Sequence, residues 1–279
     1  MSEHAPIPCS VLVLTRNSAG SLARCLAPLA PFSEILVHDA NSIDDTVMIA
    51  KEFGARVLPQ YPDDTVTPSL RVKDFTEMRL RQRADAKEDW VLYVDSDEEL
   101  SPEAVQEIAD LLPDLDPKTI IKIPRIPVIG GVPRTRGHLT PDIMPRIHNR
   151  KSGATLQKGK TVHEKYEYDS SFKEITLKHP LYTPLPDVAD MRAKDDRYLL
   201  LEVRRLRDSG YTWGEYVRWI LFREPLIMLM LLVRIARIWP ELGKPDSIPL
   251  DHHLRYVRYH WRLFRGITGM MLGFGKKKA

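Results

Sequence analysis

Asp95 and Asp97 stand one residue apart at the end of an apolar run, in W-V-L-Y-V-D-S-D-E-E-L from Trp90 to Leu100. Apolar residues up to Asp95 are the pattern of a buried strand whose C-terminal end reaches solvent. Ligands of open α/β sheets bind at the carboxyl ends of strands. Two hard carboxylate donors at such an end suit a Mg²⁺ or Mn²⁺ ion that also holds a substrate diphosphate. A strand-end turn with an aspartate cap is the structural alternative, and the pair alone does not exclude it.

The elements that must position the pair are legible on either side. Cys9 to Thr15 (C-S-V-L-V-L-T) and Glu34 to Asp39 (E-I-L-V-H-D) are predicted buried strands, and Ala55 to Pro59 a third. Between them, Ser21 to Pro31 presents Leu22, Cys25, Leu26 and Leu29 on one helical face. A second helix runs from an Asp44 or Asp45 cap to Phe53, with Gly54 as its C-cap. A third is expected over 70–87. Ser101 and Pro102 open a fourth. Strand–helix alternation with short links predicts βαβ units and a mostly parallel sheet with helices on both faces. Three strands then deliver polar ends to one rim: Thr15-Arg16-Asn17, Asp39 and Asp95. The sequence after the first strand, T-R-N-S-A-G-S, has neither G-x-G-x-x-G nor G-x-x-x-x-G-K-S/T. That argues against a dinucleotide-binding or P-loop enzyme.

Beyond Leu115 the pattern changes. Ile120 to Ile129 is β-like but interrupted by Pro124 and Pro127, and Pro133, Pro141 and Pro145 follow with Gly130, Gly131 and Gly137. Irregular loops over a substrate cleft are expected there. Lys173 to Leu177 is a further strand, and Asp187 to Ser209 a charged helix.

At 279 residues and 43% hydrophobic content, the chain can build one large domain with an appendage. Met1 to Pro8 lacks an apolar stretch, so no signal peptide is expected. Cys9 and Cys25 fall in predicted core positions and are expected to be reduced. From Leu200 to Ala279 there are 15 Lys and Arg against 7 Asp and Glu, a balance of +8; the rest holds 26 against 31, a balance of −5. An acidic body with a basic tail points to an anionic surface as partner. Within Trp219 to Trp239 the uncharged core, Pro225 to Val233, is nine residues. A spanning helix needs roughly 20, so the segment suits an interfacial helix instead. Arg255, Arg258, Arg262 and Arg265 recur at helical spacing among Tyr256, Tyr259, Trp261 and Phe264. That stripe fits an anionic bilayer, or the solvated face of helices packed on the body. No nucleic-acid module accompanies the charge, and no nucleic acid is expected.

The stretches V-L-V-L-T-R-N, E-I-L-V-H-D-A-N-S-I-D-D-T and D-W-V-L-Y-V-D-S-D-E-E-L together resemble a family 2 glycosyltransferase of the GT-A fold. The similarity is to the branch of the lipopolysaccharide-core glucosyltransferases. It covers roughly Cys9 to Leu112, and M-P-R-I-H-N-R-K-S-G…T-V-H-E extends it from Met144 to Glu164. The resemblance implies a GT-A catalytic domain over 1–186, and the basic, apolar tail makes 187–279 a helical, membrane-associating extension. It implies that Thr15, Arg16 and Asn17 line the nucleotide pocket, that Asp39 meets the base edge, and that Arg79 neutralises diphosphate charge. Asp95 would hold the ribose or a metal water and Asp97 the metal, which acts as a Lewis acid on the leaving group. Ser18, Asn41 and Leu80 depart from the family's usual residues, which leaves the donor open. A UDP-sugar is favoured ahead of a GDP-sugar.

Inverting transfer also needs a base for the acceptor hydroxyl. Glu164 in V-H-E is the candidate, with Glu98 and Asp142 behind it. His163 is a metal ligand, an acceptor contact or a structural histidine. The expected activity is metal-dependent sugar transfer to a membrane-associated glycolipid or polysaccharide, at the cytoplasmic face of the cell membrane. A nucleotidyltransferase and a non-catalytic nucleotide-sugar-binding protein are the alternatives.

Overall fold

The computed structural model describes residues 5–60, 75–137, 140–156, 166–208, 210 and 212–273. The chain divides into two compact units: Met1–Ile126 with Pro141–Pro184, and Pro127–Thr140 with Leu185–Ala279.

In the first unit β1 (Ile7–Thr15), α1 (Ala19–Leu26), β2 (Phe32–Asp39), α2 (Thr46–Glu52), β3 (Arg56–Pro59), α3 (Phe75–Asp85) and β4 (Trp90–Asp95) alternate. β1 lies between β2 and β4, and β2 pairs with β3, all in parallel. Thr15 stands opposite Asp39 and Leu14 opposite Asp95, so the polar ends of three strands share one edge. Alternation explains the unbroken apolar runs. Val11, Val13, Leu92 and Val94 join one core with Leu22, Cys25 and Leu26 of α1. Leu12, Leu36, Val91 and Tyr93 join another on the opposite face. There α3 lies across the sheet, with Gln82 Nε2 donating to the Val13 carbonyl at 2.9 Å. Gly54, at φ +73°, turns the chain out of α2 in a conformation that L side chains rarely adopt.

The remaining elements are β5 (Glu99–Leu100), α4 (Pro102–Leu111), β6 (Thr119–Ile129), β7 (Val132–Pro133), β8 (Asp142–Asn149), β9 (Thr155–Leu156), β10 (Tyr166–Glu167), β11 (Lys173–Thr176) and β12 (Leu181–Pro184). Ser101 Oγ caps α4, accepting from Ala104 N at 3.1 Å. β8 inserts between β4 and β6, antiparallel to both. The sheet is therefore mixed, in the order β3-β2-β1-β4-β8-β6-β12-β5, and not mostly parallel as expected. Between β6 and β8 the described chain is mostly turns and irregular links, as expected, but the segment around Pro145 is strand where a loop was expected. Ile121 pairs with Ile147 and Lys122 with Pro145, which leaves Arg146 as the extra residue of a bulge. A bulge interrupts the ladder, so a residue without an N–H sits beside it at little cost.

In the second unit α5 (Val188–Asp208) and α6 (Trp213–Glu215) come first. α6 continues through a π-helical run, Tyr216–Arg223, into α7 (Glu224–Arg237), and α8 (Leu250–Met271) closes the chain. α8 packs on α5 and α7 around Tyr216, Ile220 and Ile267. Arg136 is held by Asp246 at 2.8 Å and Glu241 at 2.5 Å. Among the described residues no helix is long and apolar enough to cross a membrane.

Candidate nucleotide-diphosphate site

Asp39 is 6% exposed at the end of β2. Thr15 Oγ1 donates to its Oδ1 at 2.8 Å and Ser42 Oγ to the same oxygen at 2.6 Å. Ser42 N donates to Oδ2 at 2.8 Å. A carboxylate has about four acceptor positions, so one remains, on Oδ2. Asn17, at φ 50°, turns the chain sharply after β1. Its Oδ1 accepts from Ile43 N at 2.9 Å, which ties the β1 loop to the β2 loop. Arg16 is half-buried beside them, with Nη1 shielded and, among the described residues, donating to no acceptor.

Asp95 ends β4 in different company. Arg79, 5% exposed on α3, donates from Nη2 to Asp95 Oδ1. Its guanidinium lies 5.1 Å from the Tyr93 ring centre. Arg146 Nη2 is 3.7 Å from Asp95 Oδ2 and 2.5 Å from Glu98 Oε1. Glu98 Oε2 accepts from Asp95 N at 3.0 Å, which closes a tight acidic turn. Arg125 on β6 reaches Glu98 at 3.5 Å and pairs with Asp142. Burial would raise the Asp95 carboxyl, but the guanidiniums of Arg146, Arg79 and Arg125 hold it below the usual carboxylate range. Glu98 is 1% exposed, and burial pushes it up to about 7; Arg146 opposes this and Asp95 adds to it. Arg79, Tyr93, Asp95, Arg125, Arg146 and Tyr166 border a cavity of about 270 Å³.

Arg125 and Arg146 are absent from the sequence-based site. The signal for them was an arginine flanked by proline and isoleucine in each of two β-like segments, I-P-R-I-P and M-P-R-I, since a buried charge requires a partner. For Arg146 the bulge supplies the geometry, because the extra residue re-aims its side chain toward β4.

Asp97 is exposed at the rim. Ser96, between the two aspartates, meets Ser18 through their hydroxyls at 2.9 Å and accepts from Ser21 Oγ on its carbonyl at 2.9 Å. The acidic turn is thus pinned to the start of α1. Among the described residues no three His, Cys, Asp or Glu side chains gather as a metal cage. A diphosphate-bridged Mg²⁺ or Mn²⁺ needs only one or two carboxylates. An exposed Asp97 beside a charged Asp95 fits that minimal donor set.

Glu164 and His163 lie outside the described residues. Asp142 is exposed and paired with Arg125. His148 is fully buried, 5.7 Å from the Tyr93 ring and edge-on to Tyr166 at 5.2 Å. Burial and then the charge of Arg83 lower its pKa to about 3, so it is neutral. Cys9 and Cys25 are buried free thiols.

Parallel strands with polar ends on one edge, continued by antiparallel strands, define a GT-A-like α/β fold. The chain belongs to glycosyl transferase family 2, whose model matches residues 10–167. An uncharacterized glycosyltransferase of Rickettsia felis is 36% identical over 103 residues, 36% of this chain and 32% of that protein. The SPbeta prophage-derived glycosyltransferase SunS of Bacillus subtilis is 25% identical over 218 residues, 76% of this chain and 48% of that protein. This chain therefore spans from about a third to about half of the length of these relatives. The S. aureus TarS 1-349 structure in complex with UDP matches at TM-score 0.45 and 16% identity, covering 95% of this chain and 91% of that one. At that level the likeness bears on neither donor nor acceptor.

Proposed function

We infer that this chain transfers a sugar from a nucleoside-diphosphate donor, with inversion, to a lipid-linked or polysaccharide acceptor such as a lipopolysaccharide core. The observation that carries the reading is the rim of Thr15, Asn17, Asp39, Asp95 and Asp97 on one edge of a family 2 sheet. The single acceptor position left on Asp39 suits uracil, which offers one ring N–H. Guanine offers two adjacent donors and is matched less well, so a UDP-sugar is favoured. Arg79 and Arg146 hold Asp95 and stand ready for diphosphate charge. Asp97, with Asp95 beside it, would hold Mg²⁺ or Mn²⁺, which stabilises the departing nucleoside diphosphate. Glu164 is the proposed base for the acceptor hydroxyl, and His163 a neighbour of the acceptor or metal.

The test is release of nucleoside diphosphate from UDP-glucose, UDP-GlcNAc and GDP-mannose with Mn²⁺ or Mg²⁺. A UDP-sugar should be turned over, and Asp97→Ala should abolish the turnover. If no donor is bound or hydrolysed and Asp97→Ala changes nothing, the reading fails. Pyrophosphate release from a nucleoside triphosphate would make the chain a nucleotidyltransferase instead.

The second part of the reading is a catalytic domain over 1–186 and a membrane-facing extension over 187–279. α7 is interrupted by charge, and among the described residues no helix is long and apolar enough to span. Leu226, Leu229, Met230, Leu232 and Val233 are exposed on it, and Trp219 and Phe222 on the run before it. Contiguous apolar surface of this kind marks a contact site. Arg218 and Arg223 flank Trp219 at 5.4 and 4.9 Å, and Arg234 and Arg237 are exposed. Apolar residues bordered by arginines suit the headgroup region of an anionic bilayer at the inner face of the cell membrane. Flotation with anionic vesicles tests this. Chain that stays at the bottom of the gradient would sink it.

A further inference from the structure

The basic stripe of α8 does not face outward along its whole length. Arg255, Arg258, Tyr259 and Arg262 share one side of that helix, and Arg192 and Asp195 share one side of α5, which packs against it. Together with Trp261 they border a cavity of about 370 Å³ within the helical unit. It is a second basic recess, built from residues that the sugar-transfer reading does not use.

The charges in this recess are not equivalent. Arg255 makes a two-pronged pair with Asp195, Nε to Oδ2 at 2.8 Å and Nη2 to Oδ1 at 2.6 Å. Both side chains are shielded, 16% and 9% exposed, so that pair forms a fixed wall. The other arginines are held loosely. Arg258 meets Asp251 at 2.9 Å and Arg262 meets Asp196, with all four side chains at least 41% exposed. Exposed ion pairs of this kind contribute little and exchange readily. Arg258 Nη1 is shielded from solvent and, among the described residues, donates to no acceptor. A shielded guanidinium N–H without an acceptor is costly to leave so, and it points to a ligand oxygen.

We propose that this recess binds a phosphate ester, with Arg258, Arg262 and Arg192 on the phosphate and Trp261 and Tyr259 beside the esterified sugar or polyol. A phosphate monoester near neutral pH brings close to two charges and three strong acceptor oxygens. It therefore outcompetes the single exposed carboxylates of Asp251 and Asp196. Guanidinium forks match phosphate geometry in pairs. The volume exceeds what inorganic phosphate needs and leaves room for a sugar or glycerol. Burial and then the charges of Glu202 and Asp195 raise the Tyr259 hydroxyl, so it remains a neutral donor. The source of the ester is either a soluble sugar phosphate or a phosphorylated lipid headgroup.

Calorimetric titration of the full chain distinguishes the sources, and a separate titration with UDP reads the strand-edge site. The probes are glucose 1-phosphate, inorganic phosphate and uncharged glucose, with flotation on phosphatidylcholine vesicles with and without phosphatidic acid. Saturable binding of glucose 1-phosphate, or flotation that requires phosphatidic acid, is expected. Arg258→Gln and Arg192→Gln should each weaken it about tenfold, and Lys51→Gln, a charge change on exposed α2, should not. Circular dichroism of the variants separates lost binding from lost folding. No saturable binding to any phosphate probe overturns the proposal, and so does equal binding by Arg258→Gln and wild type. Equal flotation with phosphatidylcholine alone, without soluble-phosphate binding, overturns it too. A chain that ignores UDP strikes at the transfer reading and leaves this site standing.

Discussion

Two aspartates end the strands on either side of β1, and their surroundings have little in common. Asp39 is held by two hydroxyls and a backbone amide. Asp95 is held by guanidiniums, with the buried Glu98 behind it. Neutral donors fix the direction of a carboxylate and leave its charge free to attract a polar N–H. Guanidiniums balance the charge and create a place where further anions are tolerated. The first environment suits the edge of a base and the second a diphosphate with its metal. The edge of the sheet thus separates recognition from charge handling over a few residues.

The largest effect should follow from Asp95→Asn. It leaves the shape intact but deprives Arg79 and Arg146 of their counter-charge and Asp97 of its neighbour. Loss of a preorganised electrostatic group of this kind lowers kcat by about a thousandfold. Donor KM should change far less. Steady-state kinetics with whichever donor the release assay turns over reads both values. A variant whose KM rises while kcat holds would place Asp95 in recognition and erase the contrast with Asp39.

Glu98→Gln comes next, and its signature is pH dependence. The unfolded side chain releases its proton near its ordinary value of 4.5, and the folded one at about 7. Between those values the folded chain keeps a proton that the unfolded chain has lost. Glu98 therefore contributes stability that is fully present below about 4.5 and lost as pH rises through about 7. The loss amounts to about 3 kcal/mol at most, from about 1.4 kcal/mol per pKa unit. Urea unfolding at about pH 5 and about pH 8 should show a wild-type decline that Glu98→Gln largely lacks. An identical decline in both chains would mean that Glu98 is ionised throughout.

The two environments were not equally legible in the sequence. Apolar runs, helix caps and the alternation of elements placed β1, β2, β3 and β4, because their signals are local and β1, β2 and β4 are buried on both faces. The aspartates at their ends followed from the same pattern. What escaped was the antiparallel half. β8 lies between β4 and β6 although Pro145 argues for a loop, and a non-local pairing with a bulge accommodates it. Arg125 and Arg146 belong to that half, so the guanidinium cluster was invisible until the strands were paired. In the tail, the spacing of Arg255, Arg258 and Arg262 announced a basic stripe, but not that α5 would lie against it with Asp195 and Asp196.

The smallest effects sharpen the recognition half. Asp39→Asn keeps the size but turns an amide NH₂ toward existing donors, so donor KM should rise about tenfold while kcat holds. Thr15→Val is finer still. It removes one of the two hydroxyls on Asp39 Oδ1 and leaves the Ser42 N bond on Oδ2 untouched. The lost bond costs about 1 kcal/mol of stability, which a shift in the urea midpoint reads. It also frees an acceptor position on Oδ1 beside the one already open on Oδ2. Two adjacent acceptors match the paired donors of guanine better than the single N–H of uracil. Competition between UDP and GDP should therefore narrow a few-fold toward GDP in Thr15→Val, by about 0.5–1 kcal/mol. An unchanged ratio would mean that Asp39 does not face the base, and its hydroxyl cage would then serve only to join the two loops.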